Sequence, residues 1–508
     1  FTNRKNLKES YFIFLTTMSI LFFLYLIFGR LLDSLGLDVK IHDPSIMFWM
    51  YMVCLRWLPL LQLANIGKQI RYLENPHHRV PSWLEKDIDP NTFERSRQYQ
   101  LDVLAYLSGR ILLSEIIVSC FLLLDGLAWM WNLSKEVGSV GLPDVFSTYG
   151  PSDVVDDEDA VNGITFMLMV ALSADILSSI FENMKIFGLE TKYGFNQQSF
   201  LFFLMDEVKK ITLGLLLVLI AGIGFFYIHE NFEGRHLYLY LWLFISVFMI
   251  TNKKLDNKIL QPLVFDHQSS LKEGRLRRMI EELATRVGFP LQDIIVRKES
   301  LRSSHNNAYF SDALCHQVIV LDDTLFKSNP LNKKSNKNIG LQDEEIVAVV
   351  CHELGHWFFQ HLKSVLIIYE IALLENCIFF QMFYKYPPLY KAFGFTEINP
   401  FIGIVILSGF LKILNTTFLY SEETHTEMTN LVQTVPAVHF MEYQADAYAC
   451  SMGFKGPLRS ALIKISQDNL QFPMMHPEFK LAISHPCLVD RIQMVDSDIS
   501  PYDLRIAQ

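Results

Sequence analysis

The chain has 508 residues, of which 51% are hydrophobic and 19% are charged, and its mean hydropathy is positive at +0.22. This composition excludes an extended disordered protein, and the clustering of apolar residues in long blocks argues against a purely water-soluble globule. The net charge of −10 and the isoelectric point near 5.9 argue against nucleic acid as the main partner. Seven scattered cysteines without a CxxC pair predict neither a disulfide framework nor a thiolate zinc site. The sequence therefore predicts an integral membrane protein.

Eight apolar blocks are long enough to cross a bilayer, which requires about 20 mainly apolar residues. They run near Tyr11–Phe28, Ile46–Leu63, Val103–Trp131, Ile164–Phe187, Ile211–Ile228, Leu237–Ile250, Val365–Tyr384 and Phe401–Tyr420. The sixth block is short and the second contains Arg56 and Pro59, so the count is open by one. The blocks predict a mainly α-helical protein that crosses the membrane several times.

Lysine and arginine concentrate on alternate connections between these blocks. The connection after the second block is basic, whereas the one after the third is acidic from Glu136 to Asp159. The long stretch after the sixth block is rich in Lys and Arg again. Because basic connections stay on the cytosolic side, this alternation predicts that both termini and the long stretch are cytosolic.

Several ionisable residues lie inside the apolar blocks. They are Arg110, Glu115, Asp125, Asp175, Glu182, Glu370, Glu375 and Lys412. A charge that faces lipid costs at least about 2.5–3.5 kcal/mol, so these side chains should face one another or water. Salt bridges between helices and misplaced block ends are alternative explanations, but so many together indicate a polar interior between the helices.

The pattern divides the chain into four regions. They are an N-terminal membrane region (1–252), a water-exposed part (253–362), two further spans (363–420) and a C-terminal part (421–508). The second region contains an amphipathic helix around Leu271–Val287 and three short apolar runs typical of strands. The runs are Asp293–Val296, Ala308–Phe310 and Val318–Leu321, and the last two could form a hairpin.

The stretch VAVVCHELGHWFFQH carries a candidate metal site. His352 and His356 are four residues apart, so on a helix they share one face and can bind one metal ion. Glu353 follows the first histidine, where its carboxylate could accept a proton from a metal-bound water molecule. Such a short pattern also arises by chance, and the alternative is a helix with two core or salt-bridged histidines.

A third ligand is predicted at Glu442 in the stretch MEYQADAYA. Asp446 lies four residues later on the same helical face, where it could orient a ligating histidine. Two histidines and a glutamate leave one position open for water, which is the arrangement of catalytic rather than structural zinc. The alternative for Glu442 is an exposed carboxylate on a helix.

The chain resembles the type 1 CAAX prenyl proteases, the Ste24-like membrane zinc proteases, from about residue 46 to about residue 495. The matching stretches are TFERSRQYQLD, YGFNQQSF, LRSSHNNAYF, VIVLDDTLF, CHELGHW, EYQADAYA and SHPCLVDRI. The resemblance implies a helical membrane chamber with an α+β zinc metalloprotease domain on its cytosolic side. It also implies location in the endoplasmic reticulum membrane and the inner nuclear membrane. The family usually has seven spanning helices, so Tyr11–Phe28 is expected to be additional.

The family also implies an activity and a role for individual residues. Its members remove the last three residues of C-terminally prenylated proteins, which makes such proteins and membrane lipids the expected partners. By this resemblance one Zn²⁺ ion binds to His352, His356 and Glu442, and Glu353 is the general base. Asn307 is implied to bind the extended substrate backbone. His485 and Arg491 are implied to steady the substrate or the oxyanion, although each could instead be a capping or salt-bridge residue.

Two other functions remain open from the sequence. Glu353-x-x-His356 and Glu422-x-x-His425 are both ExxH pairs, which is a feature of di-iron enzymes. The second alternative is a catalytically weak or inactive paralogue that binds prenylated or membrane clients without cutting them. The intact HELGH and EYQAD stretches argue against a pure binder, because binding alone has no chemical need for Glu353.

Overall fold

The computed structural model describes residues 43–140, 157–234, 236–255, 268–305, 307–313, 316–327, 340–415, 435–480, 483, 485–497 and 499–502. Two parts of the sequence analysis lie outside these residues. They are the first apolar block, Tyr11–Phe28, and the ExxH pair of Glu422 and His425.

The described chain is mainly helical. The helices of the first half are α1 (Pro44–Leu73), α2 (Pro90–Leu123), α3 (Gly126–Val140), α4 (Glu158–Asn183), α5 (Phe200–Phe232) and α6 (Leu237–Leu255). Helix α4 continues through a π-helical segment, Met184–Glu190, and a last turn, Thr191–Tyr193. The helices of the second half are α7 (Arg275–Val287), α8 (Asp343–Phe358), α9 (His361–Phe383), α10 (Pro387–Ala392), α11 (Pro400–Asn415), α12 (Val435–Ala449), α13 (Lys455–Asp468), α14 (Pro477–Lys480) and α15 (Leu488–Asp496).

Five helical segments in the described part of the chain are long and apolar enough to cross a bilayer. They are Pro44–Leu73, Pro90–Leu123, Glu158–Tyr193, Phe200–Phe232 and His361–Phe383. Two shorter apolar helices, Leu237–Asn252 and Pro400–Gly409, correspond to the sixth and eighth predicted blocks. The prediction of a multi-pass helical membrane protein is confirmed, with fewer full-length spans among these residues than apolar blocks.

The third predicted block, Val103–Trp131, is wrong as a single helix. Helix α2 ends at Leu123, Asp125 adopts a left-handed φ of 53°, and α3 starts at Gly126. A Cβ atom on Gly126 would lie 2.5 Å from the carbonyl oxygen of Phe121, so the tight turn requires glycine there. Hydropathy does not report such a break, because the residues on both sides are equally apolar.

The ionisable residues inside the helices have more than one explanation. Glu115 on α2 lies 3.7 Å from Arg56 on α1, and Glu370 on α9 accepts a hydrogen bond of 2.6 Å from Ser246 on α6. These two contacts between helices agree with a polar interior. Asp125 lies instead at the turn between α2 and α3, so its place inside a block reflects a misplaced block end.

The described residues between Gln268 and Asp322 contain a four-stranded mixed sheet in the order β1-β2-β4-β3. Its strands are β1 (Gln268–Ser270), β2 (Asp293–Arg297), β3 (Ala308–Ala313) and β4 (His316–Asp322). Strands β2 and β4 are parallel, whereas β3 and β4 form the predicted antiparallel hairpin, with Ala308 opposite Leu321. Strand β3 is an edge strand of this sheet, and it packs beside α8.

Two large hydrophobic clusters form the core. The first lies among the membrane helices and is rich in aromatic side chains, such as Trp131, Phe166 and Phe383. The second joins the sheet to α7, α8, α13 and α15, and it also contains Leu73 from α1 and Leu104 from α2. Parts of two membrane helices thus belong to the same core as the sheet.

Candidate metal centre

Helix α8 presents both histidines of the HELGH stretch on one face. His352 and His356 are one turn apart, and their Nε2 atoms are 3.2 Å from each other. The first turn of α8 carries acidic side chains, which stabilise the helix because its N-terminus has a partial positive charge. Within that turn the Glu345 carboxylate accepts a hydrogen bond of 2.8 Å from the backbone of Gln342 and two contacts, 2.6 and 2.8 Å, from Lys464 on α13.

Helix α12 brings the predicted third ligand to this face. One carboxylate oxygen of Glu442 lies 3.3 Å from Nε2 of His356, and the other lies 3.7 Å from Nε2 of His352. The ligand atoms of the three residues all lie within 4.8 Å of one another. Glu442 is only 5% exposed, which excludes the alternative of an exposed helix carboxylate.

The close approach of α8 and α12 depends on a glycine. A Cβ atom at Gly355 would lie 3.1 Å from the backbone Cα of Ala445 and 3.2 Å from the ring of Tyr448. Because Gly355 lies between His352 and His356, the smallest side chain in the motif is placed where the two helices meet. The separation between the histidines and Glu442 is therefore set by this contact.

The His352 side of the centre is supported by charged groups. Nδ1 of His352 lies 2.8 Å from a carboxylate oxygen of Asp446, which is fully buried. Arg491 on α15 donates two hydrogen bonds to the same carboxylate, from Nε at 2.9 Å and from a terminal nitrogen at 2.7 Å. The Asp446 carboxylate thus accepts from both a histidine and a bidentate guanidinium, which is the carboxylate arrangement that fixes a ligating imidazole.

The His356 side is supported by neutral groups. Nδ1 of His356 lies 2.8 Å from Nδ1 of His361, and Nε2 of His361 lies 3.0 Å from Oε1 of Gln444 on α12. The Gln444 amide nitrogen donates in turn to the carbonyl oxygen of Pro501 at 3.1 Å. His361 reaches this position because Gln360 adopts a left-handed conformation with φ 56°, which ends α8 and starts α9 in a new direction.

The two buried carboxylates of the site are held in their ionised form by positive neighbours. Burial alone would raise the pKa of the Glu442 carboxyl, but His485 and His356 lower it well below its usual range. Burial would also raise the pKa of Asp446, whereas Arg491 and His352 lower it. Burial would lower the pKa of His356, and Glu442 raises it, so protons compete with a cation for this ligand as the pH falls.

The donor set is suited to a divalent metal ion. Each imidazole has its Nδ1 beside a partner, so the two Nε2 atoms face each other and the Glu442 carboxylate. Three acceptor groups that converge in a buried space are satisfied by a cation, and two imidazoles with one carboxylate are a typical zinc set. The geometry predicted for His352, His356, Glu442 and Asp446 is present.

The remaining predicted residues beside this centre are Glu353, His485 and Arg491. Glu353 is half-buried, and its negative charge acts on His356, His485 and Arg491. Nδ1 of His485 lies 3.1 Å from Glu442, and the His485 side chain is 63% exposed. Glu442 is the main cause that raises the pKa of His485.

Asn307 lies directly before the edge strand β3. Its carbonyl oxygen accepts a hydrogen bond of 3.2 Å from the backbone of Asp322, which holds it at the end of the sheet. Its side-chain oxygen accepts from the backbone of Ala308 at 2.9 Å. The Asp322 carboxylate is fixed by two hydrogen bonds from Arg297, at 2.8 and 3.2 Å.

Sequence reasoning missed His361 and Gln444, which complete the His356 side. Both lie inside the two stretches that had been singled out for the ligands, VAVVCHELGHWFFQH and MEYQADAYA. The spacing of five residues from His356 to His361 does not fit one helical face. The two rings meet because Gln360 adopts a left-handed conformation, and no sequence pattern predicted that conformation.

Comparisons with known proteins match both halves of the chain. Residues 69–265 match a family model described as "CAAX prenyl protease N-terminal, five membrane helices", and residues 270–499 match peptidase family M48. The CAAX prenyl protease 1 homologs of Mus musculus and Homo sapiens are 30% identical over 464 residues, which cover 86% of this chain and 93% of each relative. CAAX prenyl protease 1 of Saccharomyces cerevisiae is 29% identical over 435 residues, with 84% of this chain and 90% of that protein covered.

A solved structure shares the fold. The crystal structure of S. mikatae Ste24p superimposes with a TM-score of 0.73 at 24% sequence identity. The match covers 88% of this chain and 99% of that chain. The mainly helical membrane architecture with a small mixed sheet in the protease part is therefore one that an experimental structure also has.

Proposed function

The chain belongs to the CAAX prenyl protease 1 family of M48 metallopeptidases, and from this premise we propose that it removes the C-terminal tripeptide from prenylated CaaX proteins. The observation that carries the proposal is the convergence of His352, His356 and Glu442 within 4.8 Å, with Glu353 beside them on α8. The names of its relatives supply the substrate class. The chain is a multi-pass membrane protein, and we place it in the endoplasmic reticulum membrane, with the inner nuclear membrane as a second location.

We assign Zn²⁺ to the three ligands, one ion per chain. The two imidazole Nε2 atoms and the Glu442 carboxylate would hold the ion, which would leave a position for water or substrate. A bound zinc ion supplies Lewis acidity, which polarises a carbonyl group and makes water a stronger acid. Asp446 orients His352 from behind, in the same way that carboxylates orient ligating histidines in other zinc sites.

Glu353 is the general base of the proposed reaction. It adjoins His352 on α8, and its charge acts on His356 and His485, so we place its carboxylate near the open position. It is not one of the three ligands. It accepts a proton from the attacking water and passes it to the amine that leaves with the tripeptide.

His485 and Arg491 have different capacities to stabilise the oxyanion. His485 is exposed, and the charge of Glu442 favours its protonated form, so it can reach a substrate and donate to a developing negative charge. Two nitrogens of Arg491 are engaged by Asp446, and the third lies 3.8 Å from Glu442. Arg491 therefore contributes its positive charge mainly from a fixed position behind the ligands.

The substrate binds in an extended form along the edge of the sheet. Strand β3 has β4 on one side only within the described sheet, and an edge strand offers its backbone groups to a peptide. Asn307 lies at the start of β3, and its backbone is fixed by Asp322. The Asn307 side chain can then contact the substrate backbone near the scissile bond.

The direct test is cleavage of a farnesylated CaaX peptide by the purified full chain. We expect the wild type to release the tripeptide and Glu353→Gln to lose activity by about 10²–10⁴-fold, the usual contribution of a positioned general base. Glu344→Gln is the matched control, because Glu344 is an exposed carboxylate on the same helix that contacts Arg275. It should retain activity.

Each other outcome contradicts a defined part of the proposal. A folded, zinc-loaded wild type that does not cut the peptide, but binds it, favours the client-binding paralogue. A Glu353→Gln variant that cuts as well as the wild type removes Glu353 from the role of base.

A further inference from the structure

We propose that His361 and Gln444 are positioning residues that hold His356 in the tautomer whose Nε2 is free to bind the metal ion. The inference rests on the proposed zinc site, and it assigns a role to two residues that the reaction above does not use. We call the row His356–His361–Gln444–Pro501 the neutral relay.

The neutral relay is a continuous row of short contacts. The two imidazoles meet through their Nδ1 atoms at 2.8 Å, and Nε2 of His361 meets Oε1 of Gln444 at 3.0 Å. The row ends where the Gln444 amide meets the Pro501 carbonyl oxygen at 3.1 Å. His361 is 7% exposed, so water has little access to replace its partners.

The Pro501 end of the row determines which ring nitrogens of His361 and His356 carry a hydrogen. A carbonyl oxygen can only accept, so the Gln444 group that faces Pro501 must be the NH₂, and its oxygen must face His361. An oxygen there requires a hydrogen on Nε2 of His361, which leaves Nδ1 of a neutral His361 as an acceptor. Nδ1 of His356 then carries a hydrogen and donates it to His361. The lone pair of His356 is left on Nε2, which faces His352 and Glu442.

The reverse arrangement is disfavoured at the end of the row, where Gln444 meets Pro501. Turning the Gln444 amide over would place its oxygen against the Pro501 carbonyl oxygen, and two acceptors at hydrogen-bond distance repel each other. In the reversed row Nδ1 of His361 would donate to Nδ1 of His356, which would leave the hydrogen of His356 on Nε2 and its lone pair away from the metal position. One end of the row thus determines which nitrogen of the ligand is free at the other end.

The fold holds His361 in place by packing as well as by hydrogen bonds. The ring of Phe359 stacks on His361 with centroids 5.9 Å apart, and Tyr502 packs against Phe359. The left-handed residue Gln360 fixes the angle between α8 and α9. A left-handed non-glycine residue is strained and persists where the surroundings compensate for the strain.

The experiment measures the zinc affinity of the detergent-purified full chain by competition with a chelator. His361→Leu fills the space without any polar atom, whereas His361→Asn places an amide oxygen close to the former Nδ1 and can still accept from His356. The neutral relay predicts that His361→Leu weakens zinc binding about 10–100-fold, the usual effect of losing the partner of a ligand. His361→Asn should stay within about threefold of the wild type.

A residue that merely fills space would behave in the opposite way, because leucine suits a buried position better than asparagine. Zinc affinity of His361→Leu equal to that of the wild type, or of His361→Asn as low as that of His361→Leu, overturns the proposal. Thermal unfolding of each metal-free variant is recorded in parallel. If His361→Leu does not fold, Gln444→Leu takes its place, with an expected loss of about tenfold, and an unchanged affinity there overturns the proposal.

The measurement separates this inference from the proposed function. A wild type that binds no zinc contradicts the metal site itself. A wild type that binds zinc, with variants of unchanged affinity, contradicts the neutral relay alone, since peptide cleavage is not the readout.

Discussion

The two histidine ligands are equivalent, but charged groups support His352 and neutral groups support His356. Behind His352 lies an ion pair between the fully buried Asp446 and the mostly buried Arg491, whereas behind His356 lie the neutral side chains of His361 and Gln444. A carboxylate adds negative charge to the site and strengthens a cation's binding, while a neutral row fixes orientation without adding charge. The difference predicts that damage to the charged side is the more severe.

The two sides also join different parts of the fold. The charged side connects α8 and α12 to α15 through Arg491. The neutral side connects the start of α9, a candidate membrane span, to α12 and to Pro501. Metal binding is therefore linked to the protease core on one side and to a membrane helix on the other.

The largest effect is expected from removing the charge behind His352. Asp446→Asn removes the closer of the two carboxylates beside the mostly buried Arg491, and loss of one partner from a buried pair costs about 3–5 kcal/mol of stability. Zinc affinity should fall about 10–100-fold as well. Thermal unfolding and chelator competition measure the two effects on the same sample.

Asp490→Asn is the matched control for this change. Asp490 lies on the same helix as Arg491, and it pairs with Lys480 at a site where both side chains are 23–28% exposed. A pair nearer the surface contributes about 1 kcal/mol or less. Equal effects of Asp446→Asn and Asp490→Asn would contradict the importance of the charged side.

Gly355→Ala should weaken both sides together, with an intermediate effect. The added methyl group would lie 3.1 Å from backbone of α12, so the helix that carries Glu442, Gln444 and Asp446 must shift by a few tenths of an ångström. Overpacking of this kind costs about 1–3 kcal/mol, and zinc affinity should fall with stability. Thermal unfolding and chelator competition again provide the readout.

Gly456→Ala on α13 is the control, because nothing lies within 4 Å of a Cβ atom there. It should be neutral or slightly stabilising, since alanine favours a helix over glycine by about 1 kcal/mol. If Gly355→Ala behaves like this control, the close approach of α8 and α12 does not set the ligand geometry.

The smallest effect on metal binding is expected from Glu345→Gln, which leaves both sides intact. The Glu345 carboxylate accepts hydrogen bonds from the Gln342 backbone and from Lys464. Loss of this carboxylate should lower the free energy of unfolding by about 1–3 kcal/mol. Zinc affinity should remain within about threefold of the wild type. A large loss of affinity would mean that the N-terminus of α8, and not only the groups behind the histidines, controls the site.

The same residue gives a pH dependence with a definite sign. Burial would raise the pKa of Glu345, but the Gln342 backbone and Lys464 lower it below the usual value of 4.5. Its contribution to stability is therefore complete above pH 4.5 and disappears as the pH falls further. The difference in unfolding temperature between the wild type and Glu345→Gln should shrink below that pH, and a constant difference would contradict the assignment.

The site was more predictable from the sequence than the membrane helices were. The four-residue spacings of His352 and His356, and of Glu442 and Asp446, place each pair on one helical face, and the structure has all four together. The contacts of His361 could not be predicted, because they depend on a single left-handed residue, Gln360.

The helix boundaries show the same limit. The break in the block Val103–Trp131 depends on Asp125 and Gly126 within a run of uniform hydropathy. Hydropathy reports the transfer of side chains into lipid and carries no information about a local backbone turn. The strands Ala308–Ala313 and His316–Asp322 were found by their pattern, but they extend beyond the apolar runs because backbone pairing continues past the last buried side chain.

The most direct test of the metal centre is zinc-edge X-ray absorption on the purified full chain, combined with its zinc content. Two imidazoles supported from opposite sides predict about one zinc ion per chain, with two nitrogen ligands at about 2.0–2.1 Å and carboxylate oxygen at about 2.0–2.2 Å. The spectrum of His361→Leu should show a more disordered shell with the same ligand types. Sulfur in the first shell, a single imidazole, or no zinc in a folded protein would contradict the account.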